Sequence, residues 1–273
     1  MTRKEISLRL AAAGIEDAEI EAMLLFCRFS GMSRAAALCE RDADCASDEL
    51  LAALARREAR EPLAYILGEA EFYTERYAVS PACLIPRPET ELLVEFACEN
   101  LPQNACFADF CTGSGCIAVS VLAHRPDCRA DAYDFSAEAL SLAQKNAVAN
   151  RVADRLTFYR KNLLIPEGVC CETRYDMILS NPPYVVRGEI DGLAPEIAHE
   201  PRMAFDGGED GLDFYSCFLE NYGSLLTERG LFVFEIGADQ RKDILRLAAQ
   251  HGYTCRITQD MGGHDRMAIL QKM

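Results

Sequence analysis

The sequence predicts an α/β fold: a mostly parallel sheet of seven strands with helices on both faces, preceded by a small N-terminal helical bundle. Seven short apolar runs between residues 106 and 270 alternate with stretches whose apolar residues recur at helical spacing. This alternation is typical of parallel strands joined by crossover helices. The first 70 residues show mainly the helical spacing, which predicts the separate bundle.

Residues 1–70 are expected to form several short helices. Thr2 and Glu5 have the spacing of a capping box, and Gly31 followed by Ser33 marks the end of one helix and the start of another. One helix is marked by apolar residues at helical intervals, Ile20, Met23, Leu24 and Cys27. The charged face of a later helix is formed by Arg56, Arg57 and Glu58. The bundle is interpreted either as a packing domain or as a module that recognises a partner.

Residues 71–88 are expected to form a linker hairpin, and residues 89–273 to form the main domain. Two short strand-like runs, 71–73 and 77–79, predict the hairpin, and three prolines then stiffen the approach to a helix that starts near Glu89. The expected strands of the main domain are 106–110, 130–134, 156–159, 175–180, 231–236, 253–257 and 267–270. The expected helices are 116–123, 137–149, 213–226 and 240–250.

The charge of the chain argues against a nucleic-acid partner. The formal net charge is −15 and the sequence pI is about 4.8, whereas proteins that grip duplex DNA or structured RNA usually carry a basic surface. A protein or small-molecule substrate is therefore favoured, and a basic protein partner would suit an acidic surface.

The 13 cysteines indicate reduced thiols in the cytosol. Their number is odd, they are scattered from Cys27 to Cys255, and no export signal is visible at the N-terminus. Neither the spacing of Cys106, Cys111 and Cys116 nor the adjacent pair Cys170-Cys171 fits a usual zinc pattern, so no metal site is expected. No apolar run reaches the roughly 18 residues of a membrane span, and a cytoplasmic location is expected.

The loop Asn181-Pro182-Pro183-Tyr184 is the most informative motif. It directly follows the apolar run 176–180, which predicts a strand. Because proline has no backbone N–H, the loop presents mostly acceptors. The Asn181 side-chain oxygen and the Pro182 carbonyl oxygen are suited to bind the two hydrogens of a planar NH2 group. An ordinary proline-rich turn is the alternative, but the full tetrapeptide after a strand favours an enzyme that modifies an amide or an exocyclic amine.

A glycine loop, Cys111-Thr112-Gly113-Ser114-Gly115, lies between the first expected strand and a helix. Its glycines allow a tight turn and the close approach of a ligand. About 20 residues later Asp134 ends the second strand, where a carboxylate is suited to accept both ribose hydroxyls of a nucleoside cofactor. A helix N-cap is the alternative role of Asp134. The loop matches neither the NAD fingerprint nor the P-loop, so an adenosine-containing cofactor of another kind is indicated.

Together the two loops resemble those class I S-adenosylmethionine-dependent methyltransferases that act on an amide or amine nitrogen. The resemblance implies a Rossmann-like fold. The Asn-Pro-Pro-Tyr form is shared by adenine-N6 DNA, guanine-N2 RNA and protein glutamine-N5 methyltransferases. The motif therefore indicates the type of reaction but does not by itself distinguish among these substrates.

Further blocks narrow the resemblance to the HemK/PrmC family, the peptide chain release factor glutamine methyltransferases. The blocks follow the order of the family between residues 61 and 273: Glu61-Pro62-Leu63-Ala64-Tyr65-Ile66-Leu67-Gly68 with Phe72-Tyr73, Leu84-Ile85-Pro86-Arg87-Pro88-Glu89-Thr90-Glu91, Glu200-Pro201-Arg202 with Gly207-Gly208 and Asp210-Gly211-Leu212, Glu235-Ile236-Gly237 with Gln240, and Asp260-Met261-Gly262-Gly263-His264-Asp265-Arg266. The N-terminal helical region, residues 1–70, has a length that fits the family but contains no specific sequence motif.

The resemblance implies methylation of the glutamine side-chain nitrogen, N5, in the Gly-Gly-Gln motif of bacterial class 1 release factors. Residues 111–115 would line the methionine end of S-adenosylmethionine, Asp134 would hold the ribose, and Asn162 and Leu163 would lie beside the adenine. Residues 181–184 would bind the substrate glutamine, with Asn181, Pro182 and Tyr184 closest to the chemistry. The helical bundle would recognise the substrate.

Three positions depart from the family, which usually has Gly at Cys111, Asp at Asn162 and often an aromatic residue at Leu163. A side chain at Cys111 is expected either to crowd the methionine end or to keep the backbone φ negative. These departures leave open a non-catalytic paralogue, and the shared Asn-Pro-Pro-Tyr loop leaves open a nucleic-acid amine methyltransferase. Glu235 is interpreted either as a structural carboxylate or as a residue that borders the site.

Overall fold

The structure, a computed structural model, describes residues 1–40, 43–45, 47–166 and 173–273. Cys170 and Cys171 lie outside the described residues. The chain forms two compact units, one comprising Met1–Glu69 and Ala194–His199, the other Ala70–Leu193 and Glu200–Met273. Within the described ranges, no helix has both the length and the apolar character that crossing a membrane requires.

The first unit consists of short helices. They are α1 (Arg3–Ala12), α2 (Ala18–Ser30), α3 (Arg34–Cys39), α4 (Asp48–Glu58) and α5 (Leu63–Leu67). The capping box is confirmed, since the Glu5 N–H donates to Thr2 Oγ1 over 3.3 Å and the Thr2 N–H donates to Glu5 Oε2 over 2.8 Å. Gly31 ends α2 in a left-handed conformation, and Ser33 caps α3.

The buried faces of α2 and α4 differ from the expected ones. Ile20 is 62% exposed, whereas Ala22, Leu25 and Phe26 of the same helix lie in the core. Small residues such as Ala22 let α2 approach its neighbours closely, so the contacts with α1 and α4, rather than the largest side chains, set its buried face. Arg57 was expected on the charged, exposed face of α4. This expectation is wrong, because Arg57 is only 5% exposed.

Arg57 is buried with its guanidinium group held by four hydrogen bonds. It donates to both carboxylate oxygens of Glu21, over 2.6 and 3.1 Å, and to Glu196 Oε1 over 3.1 Å. It also donates to the carbonyl oxygen of Glu61. Bidentate pairing of this kind compensates the desolvation of a buried cation.

The second unit begins with a hairpin of β1 (Glu69–Phe72) and β2 (Glu75–Ala78). The buried Asn146 joins this hairpin to the glycine loop. Its side-chain oxygen accepts the Ala78 N–H over 2.8 Å, and its amide group donates to the carbonyl oxygens of Ala78 and Ser114. These three hydrogen bonds of a buried amide hold the hairpin and the glycine loop in one arrangement.

The described residues of this unit form the expected seven-stranded, mostly parallel sheet. In spatial order the strands are β5 (Leu156–Arg160), β4 (Arg129–Asp134), β3 (Cys106–Phe110), β6 (Tyr175–Ser180), β7 (Leu226–Glu235), β9 (Asp265–Lys272) and β8 (Tyr253–Gln259). Strand β9 runs antiparallel to both neighbours, and the other pairs are parallel. The helices are α6 (Glu91–Asn100), α7 (Cys116–His124), α8 (Ala137–Ala149), α9 (Asp213–Asn221) and α10 (Arg241–Gln250).

The largest differences from the expected bounds are at two boundaries, the end of α9 and the start of β7. Helix α9 ends at Asn221 rather than near residue 226, and β7 begins at Leu226 rather than at 231. Between them, Gly223–Leu225 form a 3-10 turn in which Gly223 lies against the Tyr253 ring, and a Cβ at Gly223 would lie 2.0 Å from the Tyr253 hydroxyl oxygen. The Tyr253 ring approaches this closely because residue 223 is glycine. The apolar spacing alone had predicted that the helix continues through this point.

The strand order fixes the location of the site. From β3 the chain proceeds outward through β4 and β5, then returns to the other side of β3 with β6. The order therefore reverses between β3 and β6, and ligands of open parallel sheets bind outside the carboxyl ends of the strands at such a point.

Candidate active site

Four chain segments meet at the carboxyl edge of the sheet because their strands are in register. Phe110 pairs with Tyr133 on one side and with Ser180 on the other, and Ser180 pairs with Phe234. The residues that follow these four positions are Cys111, Asp134, Asn181 and Glu235. The glycine loop, the acidic strand end and the Asn-Pro-Pro-Tyr loop are thus neighbours, as parallel pairing requires.

The glycine loop turns sharply through three residues with positive φ. Cys111 has φ +59°, Gly113 has φ +55° and Gly115 has φ +81°. The expectation that a side chain at Cys111 keeps φ negative is wrong. The left-handed conformation costs a residue with a Cβ roughly 1–2 kcal/mol, so Cys111 holds local strain that glycine would avoid.

Gly115 contacts the neighbouring helix α8. A Cβ at this position would lie 3.0 Å from the Ala143 Cβ atom, and the Gly115 N–H donates to the Thr112 carbonyl oxygen over 2.8 Å. Gly115 therefore allows α7 to start close to α8, and it is not among the described residues that line the cavity beside the loop.

Asp109 supports the loop from beneath. Its Oδ2 accepts the Thr112 hydroxyl over 2.6 Å and the Ala118 N–H over 3.2 Å, while Oδ1 has no partner among the described residues. Burial raises the pKa of Asp109 to about 7. The Thr112 hydroxyl group is thus engaged inside the protein. The backbone N–H of Thr112 donates to the Tyr133 carbonyl oxygen.

Asp134 faces the same cavity with a fixed carboxylate. Its Oδ2 accepts the Gly113 N–H over 2.8 Å, and its Oδ1 accepts the Ser136 N–H over 2.9 Å. The alternative N-cap role belongs to Ser136, whose hydroxyl oxygen accepts the Ala139 N–H at the start of α8. A carboxylate has about four acceptor positions, so each Asp134 oxygen retains capacity for a further donor. Burial raises the pKa of Asp134, and hydrogen bonds from the backbone N–H groups of Ser136, Gly113 and Phe135 oppose the rise.

Asn162 and Leu163 follow β5 and line the cavity. The Asn162 side-chain oxygen accepts the Leu164 N–H over 3.1 Å, which leaves its NH2 group as a donor. Leu163 is 3% exposed and belongs to the core cluster behind the sheet, and its carbonyl oxygen accepts the Tyr222 hydroxyl over 2.9 Å. This segment therefore offers an apolar wall with one polar group.

Asn181 is held by a short chain of side chains. Its Nδ2 donates to Thr90 Oγ1 over 3.1 Å, and Thr90 Oγ1 donates to Glu235 Oε2 over 2.5 Å. The Tyr184 hydroxyl donates to Glu235 Oε1 over 3.2 Å. Among the described residues no group donates to Asn181 Oδ1, and Asn181 lines the cavity.

The backbone of the Asn-Pro-Pro-Tyr loop is clamped from behind. Gln240 Nε2 donates to the carbonyl oxygens of Tyr184 and Gly211, over 3.1 Å each. A Cβ at Gly211 would lie 2.5 Å from the Tyr184 oxygen, and one at Gly207 would lie 2.8 Å from the Tyr184 Cα atom. The glycine-rich block 207–211 is therefore required for the close approach of this loop.

These groups surround one cavity of about 350 Å³. Of the residues predicted from the sequence, it brings together Cys111, Thr112, Gly113, Ser114, Asp134, Asn162, Leu163, Asn181 and Pro183. Pro182 and Tyr184 are not among the described residues that line it, although both belong to the same loop.

The cavity also contains two residues, Thr90 and Phe135, for which the sequence predicted no role. Thr90 lines it beside Asn181, and Phe135, which is 50% exposed, lines it beside Asp134. Arg87 lines it as well and pairs with the buried carboxylate of Glu200, whose other oxygen accepts the Ile85 N–H over 3.0 Å. Thr90 and Arg87 belong to the block 84–91, whose resemblance to the family indicated that this segment matters. No rule of sequence spacing, however, predicts that the block lies beside residue 181.

Two family models match the chain. The model described as Methyltransferase small domain matches residues 88–206, and the model described as PrmC N-terminal domain matches residues 2–68. The match thus covers parts of both units.

Curated relatives match nearly the whole chain. A protein of Geobacter sulfurreducens named release factor glutamine methyltransferase is 37% identical over 94% of this chain and 91% of its own length. Proteins of the same name from Moorella thermoacetica and Bacteroides thetaiotaomicron are 38% and 36% identical, over 94% and 92% of this chain and 93% and 92% of their own lengths.

Solved structures confirm the fold class. A methyltransferase from Pyrococcus furiosus superimposes with a TM-score of 0.53 at 19% identity, covering 71% of this chain and 86% of that chain. A ribosomal protein L11 methylase from Lactobacillus delbrueckii subsp. bulgaricus gives 0.50 at 20% identity, covering 71% and 84%. The resemblance seen in the sequence is confirmed, and the chain belongs to the family of release factor glutamine methyltransferases, whose methyl donor is S-adenosylmethionine.

Proposed function

We propose that this chain transfers a methyl group from S-adenosylmethionine to the side-chain amide nitrogen, N5, of the glutamine in the Gly-Gly-Gln motif of bacterial class 1 release factors. One observation carries the proposal: residues 111–114 of the glycine loop, Asp134 and Asn181 line the same cavity, and no described residue donates to the Asn181 side-chain oxygen. A nucleoside cofactor and a substrate amide would therefore meet there. The names of the relatives support a release factor as the substrate.

The residues of the cavity fit the cofactor. Its volume of about 350 Å³ lies in the range of about 300–1,000 Å³ typical of small-molecule sites. The free acceptor positions of Asp134 suit the two ribose hydroxyls. Leu163 and the exposed ring of Phe135 suit the faces of the adenine, and the Asn162 NH2 group suits a ring nitrogen. Residues 111–114 would border the methionine moiety. When bound, the cofactor supplies an electrophilic methyl group on a sulfonium.

The Asn-Pro-Pro-Tyr loop would hold the substrate amide. Asn181 Oδ1 and the Pro182 carbonyl oxygen would accept its two N–H groups, and Pro183 and Tyr184 would pack against the glutamine stem. An amide nitrogen is a weak nucleophile because its lone pair is delocalised, so its orientation decides the rate. Ideal alignment contributes at most about 7–11 kcal/mol, and preorganised acceptors also stabilise the positive charge that develops on nitrogen. The nitrogen then loses one proton to water, so a dedicated general base is not required.

The domain roles belong to the same proposal. Residues 1–70 would recognise the release factor, residues 71–88 would link the domains, and residues 89–273 would carry out methyl transfer. The match of residues 2–68 to the PrmC N-terminal domain supports the first assignment. The reaction would take place in the cytoplasm, where release factors act, and would require neither a nucleic acid nor a membrane.

Transfer of labelled methyl groups tests the proposal. The purified protein and labelled S-adenosylmethionine are incubated with an unmodified class 1 release factor, with the same factor carrying Ala at the Gly-Gly-Gln glutamine, and with total RNA. The proposal predicts label in the unaltered factor alone. Label in RNA, or equal label in both forms of the factor, would contradict it.

A further inference from the structure

We infer that Thr90 and Glu235 are positioning residues that fix the side-chain amide of Asn181 with its oxygen toward the substrate. The inference deepens the proposed function and rests on it for the identity of the substrate amide. It concerns two residues to which neither the family models nor the names of the relatives assign a role.

The three side chains lie together because of the strand register. Ser180 pairs with Phe234, so Asn181, which follows β6, lies beside Glu235, the last residue of β7. Thr90 is the N-cap residue of α6. Thr90 and Glu235 are each only 2% exposed. The two hydrogen bonds that connect Asn181 to Glu235 through the Thr90 oxygen measure 3.1 and 2.5 Å.

The direction of each bond follows from the donors present. An ionised carboxylate only accepts, and a threonine hydroxyl has a single proton. The Thr90 oxygen lies 2.5 Å from Glu235 Oε2, which as part of an ionised carboxylate has no proton to donate, so the Thr90 proton points to Oε2. The Thr90 oxygen is then an acceptor toward Asn181, and it selects the NH2 group rather than the oxygen of that amide.

This selection matters because an asparagine amide is nearly symmetric in shape. If the Asn181 amide were rotated by half a turn, its oxygen would face the Thr90 oxygen with no proton between them. Its NH2 group would then face the NH2 group of the substrate. By holding the Thr90 proton, the Glu235 carboxylate thus excludes the rotated orientation of the Asn181 amide before the substrate binds. The acceptor oxygen of Asn181 is therefore preorganised.

The charge state of Glu235 is set by its surroundings. Burial raises the pKa of Glu235 to about 7, whereas the hydrogen bonds from Thr90 and Tyr184 and the nearby Arg266 guanidinium lower it, and Glu89 raises it. Above this pH the carboxylate is ionised and only accepts, which is the state that orients the Thr90 proton.

Substitution of the hydroxyl tests the inference. Thr90→Val keeps the shape of the side chain and removes the bridging group, whereas Thr90→Ser keeps the hydroxyl. The inference predicts that Thr90→Val lowers kcat on the order of 10²-fold, while the dissociation constant of the demethylated cofactor stays within a factor of about three. Thr90→Ser retains most of the wild-type kcat. Equal losses for Val and Ser, or no loss for Val, would overturn the inference.

A second readout needs neither substrate nor turnover. In the NMR spectrum of the cofactor-free protein, the Asn181 side-chain NH2 signals are identified by their absence in Asn181→Ala. The inference predicts that Thr90→Val and Glu235→Gln each speed the exchange of the hydrogen-bonded proton with water and move its resonance, whereas Thr90→Ser does so little. An unchanged Asn181 signal in both Thr90→Val and Glu235→Gln would refute the network. If the wild type methylates no release factor but the NMR shifts occur, the proposed substrate fails and the network stands.

Discussion

Replacement of Asn181 by Ala isolates the contribution of one acceptor to methyl transfer. The change removes Oδ1, which no described residue engages, and breaks the 3.1 Å bond from Nδ2 to Thr90. It leaves Asp134, Asn162 and the glycine loop intact. The free energy of unfolding should fall by about 1 kcal/mol, because one neutral hydrogen bond is lost while Thr90 still donates to Glu235.

The catalytic loss should be larger than the loss of stability. Removal of one preorganised group that stabilises developing charge costs about 2.7–4 kcal/mol, or about 10²–10³-fold in kcat. The assay measures initial rates of labelled methyl transfer at saturating cofactor, with the cofactor dissociation constant measured by calorimetry on the same preparation. Asn181→Ala should keep the wild-type dissociation constant within a factor of about three.

Asn100→Ala is a matched control. Asn100 is exposed, and its Nδ2 likewise donates to a single oxygen, the Phe96 carbonyl over 2.9 Å. The control should lose a similar hydrogen bond without losing activity. Equal kcat in Asn181→Ala and wild type, or a rate loss explained entirely by weaker cofactor binding, would refute the acceptor role.

Three further predictions concern the cofactor side of the cavity. Asp134→Ala should weaken binding of the demethylated cofactor at least about tenfold, since hydrogen bonds to charged groups contribute about 1.5–3 kcal/mol each; unchanged affinity in calorimetry would exclude the ribose role. Cys111→Gly should raise the denaturation midpoint, because relief of the left-handed strain, about 1–2 kcal/mol, outweighs the entropic cost of glycine, about 0.5–1 kcal/mol; a midpoint below the wild-type value would contradict the strain. Asp109→Asn should flatten the pH dependence of stability, because the folded carboxyl keeps its proton up to a pKa of about 7 while the unfolded one ionises near 3.8, so that stability falls as pH rises through this window. Urea unfolding at pH 5.5 and 7.5 measures the slope, and an equal slope in the variant would contradict the assignment.

The sequence predicted the sheet well because the relevant signals are local. Each of the expected apolar runs became a strand, and the ends of β3, β4 and β6 bring Cys111, Asp134 and Asn181 to one edge of the sheet. Register between parallel strands follows from their shared direction, so residues that end neighbouring strands meet without further information. Most of the site residues that motif position predicted therefore line the cavity, although many other residues line it as well.

Other features depend on contacts between distant segments and could not be inferred from spacing. Arg57 is paired with Glu196, which lies 139 residues away, and Gly223, just after α9, lies against Tyr253 of a distant strand. The positive φ of Cys111 reflects the tight turn required by Asp134 and Asp109 on either side of the loop, which overrides the preference of the residue. Likewise, no local pattern connects Thr90 with Asn181.

Localisation of the methyl group tests the central claim most directly. A class 1 release factor incubated with the protein and S-adenosylmethionine is digested and analysed by tandem mass spectrometry. The account predicts the mass of one methyl group on the Gly-Gly-Gln glutamine, with fragments that assign it to the side-chain nitrogen, and no such mass when Asn181→Ala replaces the wild type at the same short reaction time. A methyl group on another residue of the release factor, or on none when the protein binds the cofactor normally, would contradict it.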